Sequence, residues 1–82
     1  MSYTVDFVGL ALRQRNSMPR VALSALDTLV RQLERDPWKI GNRMFGGLND
    51  TYEAAFGGYG MATYIIQDHK VTVTVINLVW AG

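Results

Sequence analysis

The chain has 82 residues, no cysteine, one histidine and eight Lys/Arg against seven Asp/Glu, for a formal net charge of +1 at pH 7. That length holds one domain, 1–82, and buries only roughly 60–65% of the surface its unfolded form exposes. A disulfide scaffold, a thiolate metal site and a multi-histidine metal site are excluded, so apolar packing or a partner must hold the core. The small net charge conceals an asymmetry: residues 1–43 carry Arg13, Arg15, Arg20, Arg31, Arg35, Lys39 and Arg43 against four acids, whereas 44–82 carry only Lys70 against Asp50, Glu53 and Asp68.

Tyr3, Val5 and Phe7 alternate with Ser2, Thr4 and Asp6, the pattern of a half-buried first strand over Ser2–Phe7. Gly9–Arg15 follows as a short helix that Asn16-Ser17 stops. Ser17 is then expected to N-cap a second helix, with Met18-Pro19 in its first turn. Over Pro19–Arg35, the residues Ala22, Ala25, Leu26, Leu29, Val30 and Leu33 recur at spacings of three and four and make one apolar stripe. Pro37 ends this helix through the restriction it places on Asp36, and Trp38–Asn49 reads as a glycine-rich loop.

Three extended segments follow with little between them: Thr51–Phe56, Tyr59–Gln67 and Val71–Trp80. Gly57-Gly58 supplies one tight turn, a hairpin with a bulge, and the polar run 67–70 supplies the other, so an antiparallel three-stranded meander is expected. Neither helix nor sheet can hide its apolar side alone, which predicts a two-layer α+β domain. Simple alternation puts Val71, Val73 and Val75 on one face, and Ile76, Leu78 and Trp80 on the other with Thr72 and Thr74. Both sheet faces are then apolar, and one of them awaits a helix end or a partner. No basic leader with an apolar core opens the chain, and the run 75–80 is too short to cross a bilayer, so a cytoplasmic protein with no membrane partner is expected.

The order of segments meets particular residues: Tyr3-x-Val5-x-Phe7, Ala11-Leu12, Leu33-Glu34-x-Asp36-Pro37, Gly46-Gly47-Leu48, Tyr52, Gly58-Tyr59, Tyr64-x-Ile66 and Val71-x-Val73-x-Val75. In this order and spacing the chain resembles the RelE/ParE superfamily of bacterial type II toxins over nearly its whole length. The resemblance implies a strand, two helices and a curved antiparallel sheet. It also implies a cognate antitoxin as partner and, for the RelE branch, the ribosome and its mRNA as the target of an endonuclease (an mRNA interferase) that uses no cofactor and no metal. Members of that branch carry basic groups on the concave sheet face to activate the ribose 2′-hydroxyl and stabilise the charged phosphate. Here the positions of their second-strand lysines fall on Glu53 and Ala55, and those of their arginines on Met61 and Ala81, which points to weak or altered activity.

Glu53, the one carboxylate within the meander, is a solvated strand residue or, on the open face, a general base with Arg43 as phosphate clamp. His69 lies in the turn between Asp68 and Lys70 and lacks a second residue to orient it. Arg13, Arg15, Arg20 and Lys39 could hold RNA phosphates, although an ordinary solvated helix face explains them equally well. The aromatics Trp38, Phe45, Tyr52, Tyr59 and Trp80 could stack unpaired bases, but without interleaved cations packing is their better use. Met61, Tyr59 and Trp80 are the expected contacts of a partner segment. A non-catalytic interaction module on the same scaffold, a homo-oligomer or a complex subunit, is the alternative to the toxin.

Overall fold

A computed structural model describes residues 2–44 and 51–82. The elements run β1 (Thr4–Phe7), α1 (Gly9–Asn16), α2 (Arg20–Arg35), α3 (Pro37–Ile40), β2 (Asn42–Arg43), β3 (Thr51–Phe56), β4 (Gly60–Gln67), a 3₁₀ turn (Asp68–Lys70) and β5 (Thr72–Trp80). The strands form one sheet in the order β1-β5-β4-β3-β2, with β1 parallel to β5 and all other pairs antiparallel. This is the expected α+β two-layer architecture. Two additions fall in the stretch read as a loop: Pro37, at the start of a short helix, lacks only an N–H that has no partner there, and Asn42–Arg43 pairs along β3. Phe45, the Gly46-Gly47-Leu48 motif and the rest of that expected loop to Asn49 lie outside the described residues.

The core is the helix layer pressed on one sheet face. Leu26, Leu29 and Leu33 of α2 meet Tyr52, Ala54, Phe56, Ala62, Tyr64, Ile66, Val73, Val75 and Leu78. Burying each leucine stabilises by about 1.5–3 kcal/mol, so the α2 stripe is the main contribution of the helices. Tyr64 is fully buried at the centre. Its ring stacks on Tyr52 at 5.8 Å, Tyr52 and Trp38 meet perpendicularly at 5.8 Å, and the Tyr64 hydroxyl donates to the Pro37 carbonyl at 3.1 Å. Gly41 is required beside it for space: a Cβ there would strike the Tyr64 hydroxyl and lie 2.5 Å from the Glu53 carbonyl oxygen.

Two local expectations are corrected. Ser17 does not cap α2; it closes α1, its hydroxyl donating to the Arg13 carbonyl at 3.1 Å. Pro19 takes the N-cap place with extended backbone, and its carbonyl accepts the Leu23 N–H at 3.1 Å. The chain needs Met18 and Pro19 to turn from one helix to the next, which moves the start of α2 past the reach of Ser17.

The second correction concerns β5. Thr63 pairs with Asn77 and Tyr64 with Val75, so Ile76 is an extra residue, a β-bulge. The bulge restores phase: Val73, Val75 and Leu78 are all buried, and Trp80 stacks on Phe56 at 5.7 Å. Leu78 and Trp80 therefore belong to the helix-covered face with Val73 and Val75, and Val79 turns to the other face.

Beyond the end of β1, α1 covers the outer edge of β5. There the side chain of Gln14 stands in for a neighbouring strand: its Oε1 accepts the Leu78 N–H at 2.8 Å and its Nε2 donates to Asn77 Oδ1 at 3.2 Å. At the other end, Trp38 Nε1 donates to the Tyr3 hydroxyl at 3.1 Å, which donates to Asp68 Oδ1 at 2.5 Å, tying α3 and the β4–β5 turn to the start of β1. The Asp68 carboxylate, by holding the phenol proton, raises the pKa of Tyr3.

Two stability tests follow from these contacts. Gln14→Ala leaves a partly buried strand N–H without its acceptor and is expected to cost about 1–3 kcal/mol in urea unfolding, against less than ~0.5 kcal/mol for Arg31→Ala on the solvent side of α2. Burial pushes the Tyr64 hydroxyl up to about 12 from 10.0. The folded state therefore keeps a proton that the unfolded chain releases above pH 10. That contribution is intact below pH 10 and is lost as pH rises from 10 to 12. Tyr64→Phe, though less stable at neutral pH, is expected to lose stability less steeply over this window when unfolding is followed against pH.

Candidate functional site: the uncovered sheet face

The face turned away from the helices is built by the residues that alternate with the core. Register aligns them in cross-strand rows: Asn42, Glu53, Thr63 and Asn77 in one, Ala55, Met61 and Val79 in the next, and Thr51, Ile65, Thr74 and Asp6 in a third. The first row offers a carboxylate, a hydroxyl and two amides; the second offers an apolar strip. Met61 is 39% and Val79 51% exposed, and Ala55 is also exposed.

Glu53 thus stands on the open face, half-buried between Asn42 and Thr63. Arg43 does not join it. Arg43 pairs with Tyr52, whose ring lies in the core, so the alternation of β2 and β3 sends Arg43 and Glu53 to opposite sides of the sheet. Arg43 is the only cation within the five strands, and the open rows contain none among the described residues.

The remaining bases sit on the helices. Arg13 and Arg15 belong to the last turn of α1, Arg20 opens α2 and Lys39 lies in α3. Arg15 places its guanidinium carbon 5.0 Å from the centre of the Phe7 ring, a cation–π contact over the edge of the core. Lys39 lies 3.8 Å from Asp36 and is well exposed, so the pair adds little. Arg13 lines a groove with Gln14, Met18, Pro19, Leu78 and Trp80, next to Val79.

Of the expected partner contacts, Met61 is on the open face. Tyr59 is in the β3–β4 turn, 65% exposed, with its ring edge-on to Trp80 at 6.0 Å. Trp80 itself is half-covered by Phe56 and by the turn at Gly57, where φ is +64° and a Cβ would come within 2.7 Å of Ala25. His69 is exposed in the 3₁₀ turn, away from the open rows. Among the described residues no three His, Cys, Asp or Glu converge as a metal site, and no helix is long and apolar enough to cross a membrane.

Asn77 is the site residue that the sequence did not reveal, since it registers there only as an interruption of an apolar run. A backbone N–H can only donate, so the Leu78 N–H fixes the Gln14 oxygen as acceptor and its nitrogen as donor. Asn77 must then present its oxygen to Gln14, which turns its amide nitrogen away from α1.

No family model matches the chain. It is 29% identical over 79 residues to Toxin RelG of Mycobacterium tuberculosis, covering 95% of this chain and 90% of that protein. Its fold superimposes with a TM-score of 0.87 on a chain of the toxin–antitoxin complex RelBE2 of M. tuberculosis, at 27% identity and over 99% of this chain and 100% of the other. The intact E. coli RelBE complex contains the same fold, with a TM-score of 0.85 at 23% identity over 99% of each chain. Sequence likeness and fold agree over nearly the full length, and the chain is similar throughout to RelE-type toxins.

Proposed function

We propose that this chain is the toxin subunit of a toxin–antitoxin pair, held by a cognate antitoxin, and that its target is mRNA on the ribosome, cut weakly or by an altered chemistry. The likeness to RelG and to a chain of the RelBE2 complex supports the pairing. The observation that bears most on the chemistry is the open row of Glu53, Thr63 and Asn77 without a cation.

In this reading Glu53 accepts the proton of a ribose 2′-hydroxyl, whose oxygen attacks the adjacent phosphorus to give a 2′,3′-cyclic phosphate and displaces the 5′-oxygen of the next nucleotide, which takes its proton from water. Thr63 and the Asn77 amide nitrogen supply neutral hydrogen bonds to the phosphate. No Lys or Arg on this face offsets the charge that develops there, and the leaving oxygen has no acid beside it among the described residues. Loss of one charge-stabilising donor commonly costs on the order of 10²–10³ in rate. Arg13, Arg15, Arg20 and Lys39, on the helix side, would hold phosphates of surrounding RNA and not the scissile one. Arg43 can serve as a clamp only around the β2 edge.

The vacancy of cations also favours a second reading, a non-catalytic interaction module that buries the open face in a homo-oligomer or a complex. Controlled induction of the chain alone in a bacterial host, with transcript ends mapped in the same culture, separates the two. Growth arrest with new in-frame mRNA ends, both reduced by about 10²–10⁴ in Glu53→Ala, is the expected result. Unhindered growth with soluble, folded protein would favour the module, and cleavage unchanged in Glu53→Ala would remove Glu53 from the chemistry.

A further inference from the structure

The polar row of the open face ends in two amides whose direction is set by the backbone. Asn42, Glu53, Thr63 and Asn77 align across β2 to β5, and Gln14 of α1 continues the row past the edge of β5. β1 pairs with β5 only as far as Val75, so the Leu78 N–H relies on Gln14 Oε1, 2.8 Å away, for its acceptor. That N–H neither rotates nor accepts, which leaves the Gln14 nitrogen to donate to Asn77 Oδ1 at 3.2 Å. An asparagine alone on a strand exchanges its oxygen and nitrogen by one side-chain rotation and prefers neither sense. Here, turning either amide over would set two donors face to face in a partly buried place, which favours the observed sense on the order of 10–100-fold. No described residue accepts from the Asn77 nitrogen.

We propose that Gln14 is a positioning residue for cleavage: from the helix layer it holds the Asn77 amide with its nitrogen turned to the Thr63 side, ready to donate to the scissile phosphate. The role rests on the reading of this row as the place of that phosphate, and it adds which group sets the donor. With no cation in the row, the Thr63 hydroxyl and the amides of Asn42 and Asn77 are the side-chain donors left for a non-bridging oxygen. A donor turned the right way beforehand stabilises developing charge without reorganising as the reaction proceeds. Of the two amides, only that of Asn77 has its sense fixed by a hydrogen-bonded neighbour among the described residues. The row is thereby polarised. Glu53, two strand spacings or roughly 9–10 Å from Asn77, takes up a proton, and Asn77 gives a hydrogen bond, with Thr63 between them. Gln14 itself touches no reacting atom and acts through Asn77.

The test combines single-turnover cleavage of an mRNA in the ribosomal A site with side-chain amide NMR of the full chain. Gln14→Glu keeps an acceptor for the Leu78 N–H but offers Asn77 a second oxygen, so the Asn77 amide turns over and faces the phosphate with its own oxygen. The rate at saturating protein is expected to fall about 10–10²-fold, with the half-saturating concentration changed by less than about twofold. Asn77→Asp, which still accepts from Gln14 but has no donor, should lose as much. In an Asn77→Ala background, Gln14→Glu should change the rate by no more than about twofold, a result that a purely structural role would not give. In the natural chain the Gln14 amide hydrogens should exchange slowly and those of Asn77 fast; this measurement decides the hydrogen-bond sense even if Gln14→Glu does not fold. Natural rates in Gln14→Glu, an equal further loss in the Asn77→Ala background, or a protected Asn77 amide beside a free Gln14 amide would each overturn the proposal. Cleavage undiminished by Gln14→Glu removes the positioning role alone and leaves the nuclease reading standing, whereas a natural chain that cuts nothing removes that reading and the role with it.

Discussion

Everything in this small domain depends on one act of burial: the Leu26, Leu29 and Leu33 stripe of α2 laid across a sheet face centred on Tyr64. Among the described residues one core cluster forms, so its loss has nothing to compensate for it. Truncating a buried leucine to alanine commonly costs 2–5 kcal/mol, a large part of what a domain of 82 residues has available. Tyr64 adds direction to that burial. Its hydroxyl fixes the carbonyl of Pro37 and its ring stacks on Tyr52, so the short α3 and the β2 edge are set by contacts with the residue that anchors the core.

The consequence for function comes through the other side of the sheet. The bulge at Ile76 spends Val73, Val75, Leu78 and Trp80 on the helix-covered face, and Gln14 closes the free edge of β5 by imitating a strand. What remains outside is a compact set of rows: one polar and acidic, one apolar. The helices carry the positive charge instead, so the two sides of the molecule differ in the partners they suit.

Much of this was legible in the sequence. The three- and four-residue spacing of α2 places its helix to within a residue, and the expected span of β3, Thr51–Phe56, with Gly57-Gly58 marking its end, is the observed one. The family resemblance rested on residues that prove to be core, Tyr64 and Val73 among them. The bulge was not legible, because Val75, Ile76, Asn77 and Leu78 alternate plausibly in either phase and only pairing with Thr63 and Tyr64 decides between them. The two-residue β2 was hidden in a glycine-containing stretch, since so short a strand exists only through its partner. For the same reason Glu53 and Arg43 could be placed together on paper: which side of the sheet each occupies depends on that pairing. Asn77 carried no signal beyond being polar in an apolar run.

The sheet has the fold of a RelE toxin, but its open rows carry no Lys or Arg among the described residues, and we propose that this missing charge limits cleavage there. The most direct measurement is single-turnover cleavage of an mRNA held in the ribosomal A site by the purified chain and by its Ala55→Lys/Met61→Arg variant, which fills two of the vacant positions. Slow cleavage by the natural chain and a gain on the order of 10²–10³ in the variant are expected. Fast cleavage by the natural chain, or a variant no faster than it, would contradict the claim that missing charge limits this face.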